Sequence, residues 1–313
     1  MSDLILQLAE YLRDSVRVLF ITGAGISADS GLPTYRGVGG LYNDKQTTEG
    51  YSIEQCLSAS MFSRHPEITW KYMLPIAEAV FRCEPNDAHR VIAKLEADFA
   101  KRGGKVVVFT QNIDGYHKQA GSKVVLEIHG TLRTLFCTSS NCDWSEQFEI
   151  DSAEDQNKEI KNAKLIQRIE KFKENLYSSC SEIPETGYAD AVSRGDCSRA
   201  KPTVCTGFGK PPCCPVCGSV IRPDVVLFEE SLPYDVLSEF DREFDDGKGF
   251  DLIISVGTSA MFPYITAPIY EAVKRGKKTV DINPSESNLS KTVSLHIPET
   301  AAKTFRELEK YIP

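Results

Sequence analysis

The chain has 313 residues, of which 41% are hydrophobic and 26% charged, and its formal net charge is -8. This composition is ordinary for a globular protein, and the length suits one large domain with a smaller one attached. The negative charge argues against nucleic acid as a partner, and no run reaches the roughly 18 apolar residues of a membrane span. The first ten residues carry no basic region of a signal peptide. We therefore expect a cytoplasmic protein that binds neither nucleic acid nor membrane.

Helical and strand patterns alternate along the chain. Leu4, Leu8 and Leu12 share one face of a predicted helix over residues 3–14. Apolar runs that end in polar residues predict five strands, at 16–23, 105–114, 123–130, 250–259 and 277–285. Runs this uniformly apolar are typical of strands buried on both faces of a parallel sheet. The sequence thus predicts an α/β fold with a doubly wound, Rossmann-like sheet, whose ligands bind beyond the carboxyl ends of the strands.

Two segments interrupt this alternation. Residues 41–100 predict a helical insertion that covers the ligand cleft. Residues 134–217 predict a smaller inserted domain, with an extended segment at 143–212 that begins as a charged helical pattern. The Rossmann-like domain would then consist of residues 1–40, 101–133 and 218–313.

Four of the ten cysteines form two closely spaced pairs. Cys137 and Cys142 have four residues between them, and Cys214 and Cys217 have two. In a chain without an export signal, such pairs indicate a metal site more than disulfides. Four thiolates suit a closed, structural Zn²⁺ site, because no position is left for water. Cys213 competes with Cys214, but only Cys214 leaves the two-residue spacing, and buried free thiols are the alternative to zinc.

The stretch LFITGAGISADSGLPTYRG, residues 19–37, places three glycines after an apolar strand. Gly23, Gly25 and Gly31 allow a tight turn and would leave backbone N–H groups near a helix start, which suits a pyrophosphate. The spacing departs from the usual G-x-G-x-x-G fingerprint, so a tight turn without a ligand is the alternative. Arg36 would add a fixed positive charge near phosphate.

Four further motifs place polar residues at predicted strand ends. Gln111, Asn112 and Asp114 in FTQNIDGYH offer the donors and acceptors that ribose hydroxyls and a carboxamide need. His129 in EIHG is suited to general-base work near neutral pH. The hydroxyls of VGTS and the amide of INPS suit phosphate or ribose. Each motif alone is also compatible with an ordinary polar turn or a structural side chain.

Together the motifs resemble the sirtuins, the NAD-dependent protein lysine deacylases. The family order is kept across nearly the whole chain by GAGISADSGLPTYRG, TQNID, EIHG, the two cysteine pairs, RPDVVLFEESLP, VGTS and INPS. The resemblance implies NAD and structural Zn²⁺, an acyl-lysine protein or peptide as partner, and release of nicotinamide and O-acyl-ADP-ribose. It implies that His129 is the catalytic base, that Asn112 is also catalytic, and that Cys137, Cys142, Cys214 and Cys217 bind zinc away from the chemistry. The residues that it assigns to NAD are Gly23, Ala24, Gly25, Ser27, Tyr35, Arg36, Gln111, Asn112, Ile113, Asp114, Gly257, Thr258, Ser259, Asn283 and Ser285.

The resemblance also implies that residues 225–230 pair with an extended substrate peptide, as a strand added to an exposed edge. Val226, Phe228 and Glu229 would then lie at the substrate. Glu229 stands where the family usually has glycine. Its side chain would either alter the peptide channel and attract a basic flank of the substrate, or point to solvent.

The loop around Thr34 and Tyr35 resembles that of the bacterial and mitochondrial desuccinylase branch. That branch pairs an acidic acyl group with a tyrosine and an arginine three residues apart. Alignment on Trp70 puts Met73 and Ile76 at those positions. Neither side chain pairs with a carboxylate, and burying an unpaired carboxylate costs several kcal/mol. We therefore expect acetyl or longer apolar acyl groups, and not succinyl.

Other functions could use the same NAD site. One is mono-ADP-ribosyl transfer from NAD to protein, and another is a non-catalytic sensor of NAD or ADP-ribose. Intact His129, Asn112 and Asp114 count against a sensor, which needs no base. A hydride-transferring dehydrogenase fits the glycine spacing and the cysteine-bearing insertion poorly.

Overall fold

The computed structural model describes residues 2–34, 47, 49–148, 158–176, 209–245 and 249–312, and of residues 158–165 and 245 the backbone alone. Tyr35 and Arg36 lie outside the described residues, as do 149–157 and 177–208 of the predicted 143–212 segment. None of the described helices combines the length and the apolar character that crossing a bilayer requires.

Nine strands occur in the described residues. They are β1 (Arg17–Thr22), β2 (Lys105–Thr110), β3 (Val125–Glu127), β4 (Gly130–Cys137), β5 (Ser145–Gln147), β6 (Ile221–Val225), β7 (Leu252–Val256), β8 (Lys278–Ile282) and β9 (Leu295–Ile297).

The described helices lie between and after these strands. They are α1 (Ser2–Asp14), a 3-10 helix (Ala24–Ser30), α2 (Ile53–Cys56), α3 (Ala59–Arg64), α4 (Pro66–Arg82), α5 (Asp87–Lys101), α6 (Tyr116–Gln119), α7 (Lys158–Leu176), α8 (Tyr234–Asp245), α9 (Pro263–Lys274) and α10 (Ala301–Leu308).

Six parallel strands form the central sheet, in the order β3-β2-β1-β7-β8-β9. Counted in chain order, these six strands lie 3-2-1-4-5-6 across the sheet, which is the order of Rossmann-type dinucleotide-binding folds. The order reverses between β1 and β7, and ligands of such sheets bind at that reversal, beyond the carboxyl ends of the strands.

Helices cover both faces of the central sheet. Successive residues of a strand point to opposite faces, so Phe20 packs with α1, α5 and α10, whereas Leu19 packs with α8 and α9. All five residues of β7 are buried. The sheet is therefore doubly wound, which confirms the predicted fold class.

A third apolar core joins α4 and α7 to the antiparallel sheet β5-β4-β6. The ring of Trp70 in α4 meets the ring of Phe172 in α7 edge-on, with 6.0 Å between centroids. The buried carboxylate of Glu78 forms ion pairs with Lys173 of α7 and with Arg82 of its own helix. Thus α7, the helix predicted from the charged pattern, docks onto α4 through both apolar and ionic contacts.

The sequence-based prediction of elements is largely confirmed. All five predicted strands are present, each shorter than its apolar run, and helix α1 matches the predicted 3–14. Strand β9 was missed because it has only three residues, and the antiparallel sheet was missed although β4 has eight residues and β6 has five. Strands β4 and β6 reach Gly130 and Val225, outside the 134–217 limits predicted for the inserted domain. The domain limits themselves stay a prediction.

Glycines bring the loops that follow β1 and β7 into direct backbone contact. Gly25 donates its N–H to the carbonyl of Gly257 at 2.8 Å, and Gly23 donates to Val256 at 3.0 Å. Gly257 has a φ of +58°, and a Cβ on it would lie 2.3 Å from the backbone nitrogen of Ile26. Only glycine fits there without displacing a backbone, so this contact sets the spacing of the two loops at the strand-order reversal.

Gly257→Ala should lower the free energy of unfolding by at least about 3 kcal/mol, because it combines a left-handed φ with backbone overlap. Gly276→Ala is the matched control, since Gly276 has a φ of +66° but nothing within 4 Å of an added Cβ. The control should lose only about 1 kcal/mol. Denaturant unfolding measures the loss of stability in both variants. Equal losses would show that the close approach of the two loops adds nothing to the cost of the substitution.

Candidate active site

The loops that follow five strands meet at one edge of the central sheet. This convergence is expected, because parallel strands end at the same edge. Side-chain hydrogen bonds then link the loops to one another. Gln111 Nε2 donates to Thr258 Oγ1 at 2.9 Å, and Asn283 Nδ2 donates to the Thr258 carbonyl at 2.9 Å. Asn112 Nδ2 donates to the Gly23 carbonyl at 3.2 Å. The motifs predicted separately therefore form one connected site.

Ser27 lies at the centre of a buried polar network. Its hydroxyl donates to Asp114 Oδ2 at 2.8 Å and accepts from Asn112 Nδ2 at 3.2 Å. The other carboxylate oxygen of Asp114 accepts the N–H of Tyr116 at 2.9 Å. Burial raises the pKa of Asp114, while the hydrogen bonds from Tyr116 and Ser27 oppose that rise. Each oxygen of the carboxylate keeps a further lone pair for a ligand donor.

His89, which the sequence analysis did not select, supports Ser27 from helix α5. Its Nδ1 accepts the N–H of Asn86 at 3.3 Å, so Nε2 carries the proton and lies 3.4 Å from Ser27 Oγ. Burial lowers the pKa of His89, and the ring is therefore neutral. A sequence signal existed, because His89 is a polar residue on the apolar face of an amphipathic helix, three residues after the N-cap Asn86.

A second buried histidine, His117, was also missed. Its ring centroid lies 4.9 Å from that of His89, and its Nε2 lies 3.0 Å from Thr22 Oγ1. Within the described residues, His117 Nδ1 has no hydrogen-bond partner. Burial lowers the pKa of His117 to about 3. The floor of the site therefore holds two neutral imidazoles.

His129 follows β3, and two hydrogen bonds orient its ring. Nδ1 lies 2.9 Å from the carbonyl oxygen of Gln111. A carbonyl only accepts, so Nδ1 carries the proton and Nε2 presents a lone pair. The hydroxyl of Tyr264 lies 2.8 Å from that Nε2. Burial lowers the pKa of His129, with the Gln111 carbonyl opposing the shift. The ring is thus held in the protonation state and tautomer that a general base needs.

Tyr264 was not selected from the sequence, and no local motif marks it. It is the second residue of helix α9, after Pro263. Its contact with His129 joins residues 135 positions apart in the chain. Only the fold brings these two side chains together.

Two predicted residues at the outer part of the site are exposed. Ser259 and Ser285 both face solvent, and the N–H of Ser285 donates to Asn283 Oδ1 at 3.4 Å. Their roles, like those of Tyr35 and Arg36 outside the described residues, stay predictions.

The N–H groups of the three loop glycines are bonded within the chain, so the pyrophosphate predicted at this turn would have to use other N–H groups and stays a prediction. Gly23 donates to the last residue of β7 and Gly25 to the loop after it, and Gly31 donates to the carbonyl of Ala28 at 2.9 Å. The absence of a side chain at Gly23 and Gly25 lets the two loops pack closely. The chain after β1 also begins as a 3-10 helix and not as an α-helix.

A cavity lies between the network and helix α4. Its polar wall consists of Ser27, Asn112 and Asp114, and its apolar wall is formed by Ala24, Leu32, Pro33, Ile76, Val80 and Ile113. A planar amide-bearing ring needs this combination of apolar walls and convergent polar groups. Of the two predicted acyl-pocket residues, Ile76 lines the cavity, whereas Met73 is buried in the apolar core around α4.

The predicted peptide-binding segment runs beside His129. Val226 donates its N–H to the carbonyl of His129 at 2.9 Å. The backbone of Phe228 is already engaged, since it donates to Leu57 at 3.0 Å and accepts from Ala59 at 2.9 Å. Strand addition would therefore have to use backbone groups on either side of Phe228.

Glu229 is exposed and has a φ of +74°, a left-handed conformation that explains why glycine suits this position. Its Oε2 accepts the N–H of Ser60 at 3.1 Å, in the first turn of α3. The side chain thus does more than point to solvent, because it ties the segment to a helix N-terminus, where a carboxylate is favoured.

A profile of the Sir2 family matches residues 23–263 of this chain. The chain belongs to the Sir2 family. It is 36% identical to "NAD-dependent protein deacylase 2" of Pseudomonas aeruginosa, over 98% of this chain and 97% of that protein. It is 31% identical to "NAD-dependent protein deacylase 1" of Archaeoglobus fulgidus, over 98% and 97%. Among solved structures, it resembles a Sir2 homolog–NAD complex at 30% identity and a TM-score of 0.65, over 98% of this chain and 93% of that one. The predicted resemblance to the sirtuins is confirmed, whereas the assignment of the loop to the desuccinylase-like branch stays a prediction.

This Sir2 family chain carries a four-cysteine cluster at the far end of β4. The sulfurs of Cys137, Cys142, Cys214 and Cys217 all lie within 4.8 Å of one another. The Cys137–Cys217 and Cys142–Cys214 pairs are 3.4 and 3.8 Å apart. A tetrahedral Zn²⁺ with Zn–S bonds of about 2.3 Å places its sulfurs about 3.8 Å apart, so the donor set fits zinc. Within the described chain, the neighbouring Cys213 is exposed and stands outside the cluster.

The purified Sir2 family protein should contain one Zn²⁺ per chain. Cys214→Ser should lose that metal and much of the stability of the antiparallel sheet, because its sulfur is one of the four donors. Cys213→Ser is the adjacent control and should keep the metal. Elemental analysis measures the zinc content, and equal loss in both variants would contradict the assignment.

The pKa of His117 makes stability depend on pH. At His117, the unfolded chain binds a proton below about pH 6.5, whereas the folded chain binds it only below about pH 3. Acidification across that window therefore favours unfolding. His117→Gln removes the imidazole that takes up this proton. Between pH 5.5 and pH 4, where the unfolded imidazole is almost fully protonated and the folded one is not, the variant should lose about 1.3 kcal/mol less per pH unit than the wild type. Denaturant unfolding at several pH values measures the slopes, and identical slopes would refute the buried neutral ring.

Proposed function

We propose that this chain is an NAD-dependent protein lysine deacylase that releases nicotinamide and O-acyl-ADP-ribose. The observation that carries the proposal is the orientation of His129, a neutral base beside the Asn112–Ser27–Asp114 network at the strand-order reversal. The two relatives named above are both protein deacylases by name and span almost the whole chain. A sensor would need no oriented base, so the alternatives are not favoured.

The residues present fit NAD. The cavity beside Asp114 offers apolar walls together with carboxylate and amide groups, which suits nicotinamide. When bound, NAD supplies an activated ribose carbon that accepts the acyl oxygen as nicotinamide leaves. The groups proposed to hold its nicotinamide half are Ala24, Ser27, Gln111, Asn112, Ile113 and Asp114. The residues proposed to surround its phosphates and adenosine are Tyr35, Arg36, Gly257, Thr258, Ser259, Asn283 and Ser285, with Gly23 and Gly25 shaping the loop and not donating their own N–H groups.

The side chains of the site have distinct tasks in this proposal. Asn112 is fixed by its hydrogen bonds to Gly23 and Ser27, so it orients a ribose hydroxyl without rearranging. His129 takes up one proton at Nε2 while Nδ1–H stays bonded to Gln111. The carbonyl of Gln111 then stabilises the imidazolium that forms. Acyl-lysine peptide would lie along Val226, Phe228 and Glu229, and the cysteine cluster would hold structural Zn²⁺.

The acyl group is proposed to be apolar. Met73 and Ile76 are both buried and offer no charge to a carboxylate. Helix α4 does carry a cation and a phenol next to Met73, but Lys71 and Tyr72 both bind the carboxylate of Glu49. An acidic acyl group would therefore be desolvated without a partner, at a cost of several kcal/mol.

The test is sustained nicotinamide release from NAD with acetyl-, decanoyl- and succinyl-lysine peptides. Wild type should act on the acetyl and decanoyl peptides at least about tenfold faster than on the succinyl peptide, since each 1.4 kcal/mol gives a factor of ten. His129→Ala should lose turnover by about 100-fold or more, because a general base contributes that much.

His65→Ala is the matched control, since His65 is an exposed histidine outside the site. It should retain full activity. No release with any peptide, despite measurable NAD binding, would overturn the proposal in favour of another use of NAD. Preferred succinyl cleavage would overturn the acyl assignment alone.

A further inference from the structure

The lone pair of the proposed base is already occupied by a hydroxyl of the chain. Because the Gln111 carbonyl fixes the proton of His129 on Nδ1, the group at Nε2 must be a donor. That donor is Tyr264, whose Oη lies 2.8 Å from Nε2. A substrate hydroxyl therefore meets the oxygen of Tyr264 before it can meet His129.

Tyr264 is held in this place by its surroundings. It belongs to the first turn of α9, which begins at Pro263, and the following Ile265 is fully buried in the sheet core. Its ring stacks on Phe262, with 5.3 Å between centroids and 10° between planes. Burial raises the pKa of Tyr264 to about 12, so its hydroxyl stays protonated and remains a donor.

The loop that leads to Tyr264 is also tied down. Ala260 has a φ of +52°, a left-handed conformation that is uncommon for a residue with a side chain. Its N–H donates to Thr258 Oγ1 at 3.1 Å, and its carbonyl accepts from Asn288 Nδ2 at 3.2 Å. These bonds on both sides of the residue fix the path from β7 to α9, which argues against a side chain that swings freely out of the site.

We propose that the Tyr264 hydroxyl relays the proton from the substrate hydroxyl to His129, an inference that rests on the proposed deacylase function. In this step the substrate O–H bond and the Tyr264 O–H bond break together. A new O–H bond forms on Tyr264 and an N–H bond forms on His129 Nε2. The net change moves one proton from the substrate to the imidazole, and Tyr264 begins and ends neutral. The high proton affinity of the phenol suits this role, since no free phenolate has to form.

The competing role for Tyr264 is a plug that must leave Nε2 before the substrate binds there. The two roles predict opposite effects of Tyr264→Phe, which keeps the ring and its stacking but removes the hydroxyl. If the hydroxyl relays the proton, Tyr264→Phe loses proton transfer. If the hydroxyl only blocks Nε2, Tyr264→Phe deacylates the peptide as fast as wild type or faster.

The experiment separates the step that precedes proton transfer from the step that needs it. Exchange of labelled nicotinamide into NAD, with an acetyl-lysine peptide present, reports nicotinamide departure and its reversal, for which no base is required. Deacylated peptide formed in a single turnover reports the base-dependent step. In Tyr264→Phe, exchange should stay within about twofold of wild type and deacylation should fall about 10- to 100-fold, as for loss of a proton-transfer group.

Tyr270→Phe is the matched control, because Tyr270 lies on the same helix and is exposed. It should leave both rates unchanged. Unchanged or faster deacylation in Tyr264→Phe would overturn the relay. Absence of exchange in the wild type would instead refute the proposed function, and the relay would fall with it.

A second readout needs neither NAD nor turnover. Nitrogen NMR of the His129 ring in the nucleotide-free protein should show a proton on Nδ1 and a hydrogen-bonded, unprotonated Nε2. A donor at Nε2 stabilises the neutral ring, so Tyr264→Phe should raise the pKa of His129. An unchanged pKa and an unchanged Nε2 signal would show that the Tyr264 hydrogen bond is not made, which also overturns the relay.

Discussion

The site depends on the backbone contact between the loops after β1 and β7. Gly23, Gly25 and Gly257 are packed so closely that an added Cβ on any of them would lie 2.9 Å or less from an atom of the facing loop. This contact lies where the strand order reverses, which is the point at which a parallel sheet of this order opens a crevice. The side chains of Asn112, Gln111 and Asp114 are placed relative to these two loops, through bonds to Gly23, Thr258 and Ser27 respectively.

The hydrogen bonds of the buried network around Ser27 pair its polar groups with one another and fix the orientation of its side chains. Ser27 has one hydroxyl proton and gives it to Asp114, so Asn112 and His89 must both act as donors toward it. These constraints allow only one hydrogen-bond direction through the four side chains. A network with one direction is already oriented before a ligand arrives, and such preorganisation is what electrostatic catalysis requires.

The sequence predicted those parts of the site that follow from strand ends. His129, Asn112 and Asp114 could be selected because each closes an apolar run, and parallel strands deliver such residues to one edge. Tyr264 could not be selected, because its role comes from a contact across 135 residues. The glycines mark the tight turn as predicted, but their own N–H groups bind the chain itself. The spacing of glycines indicates where the backbone must pack closely. It does not indicate whether the neighbour is a ligand or another part of the chain.

The antiparallel sheet connects the cysteine cluster to the backbone of His129, the proposed base. Strand β4 begins at Gly130, directly after His129, and ends at Cys137, one of the four sulfur donors, so these ends lie roughly 20 Å apart in an extended strand. Strand β6 pairs along β4 and continues into Val226, whose N–H binds the carbonyl of His129. The cluster joins the turn after β4 to the turn before β6, so a metal there closes the two strands at one end while His129 and Val226 meet at the other. A zinc ion that touches no substrate would therefore still help to hold the backbone of His129, the proposed base, against the segment proposed to bind peptide.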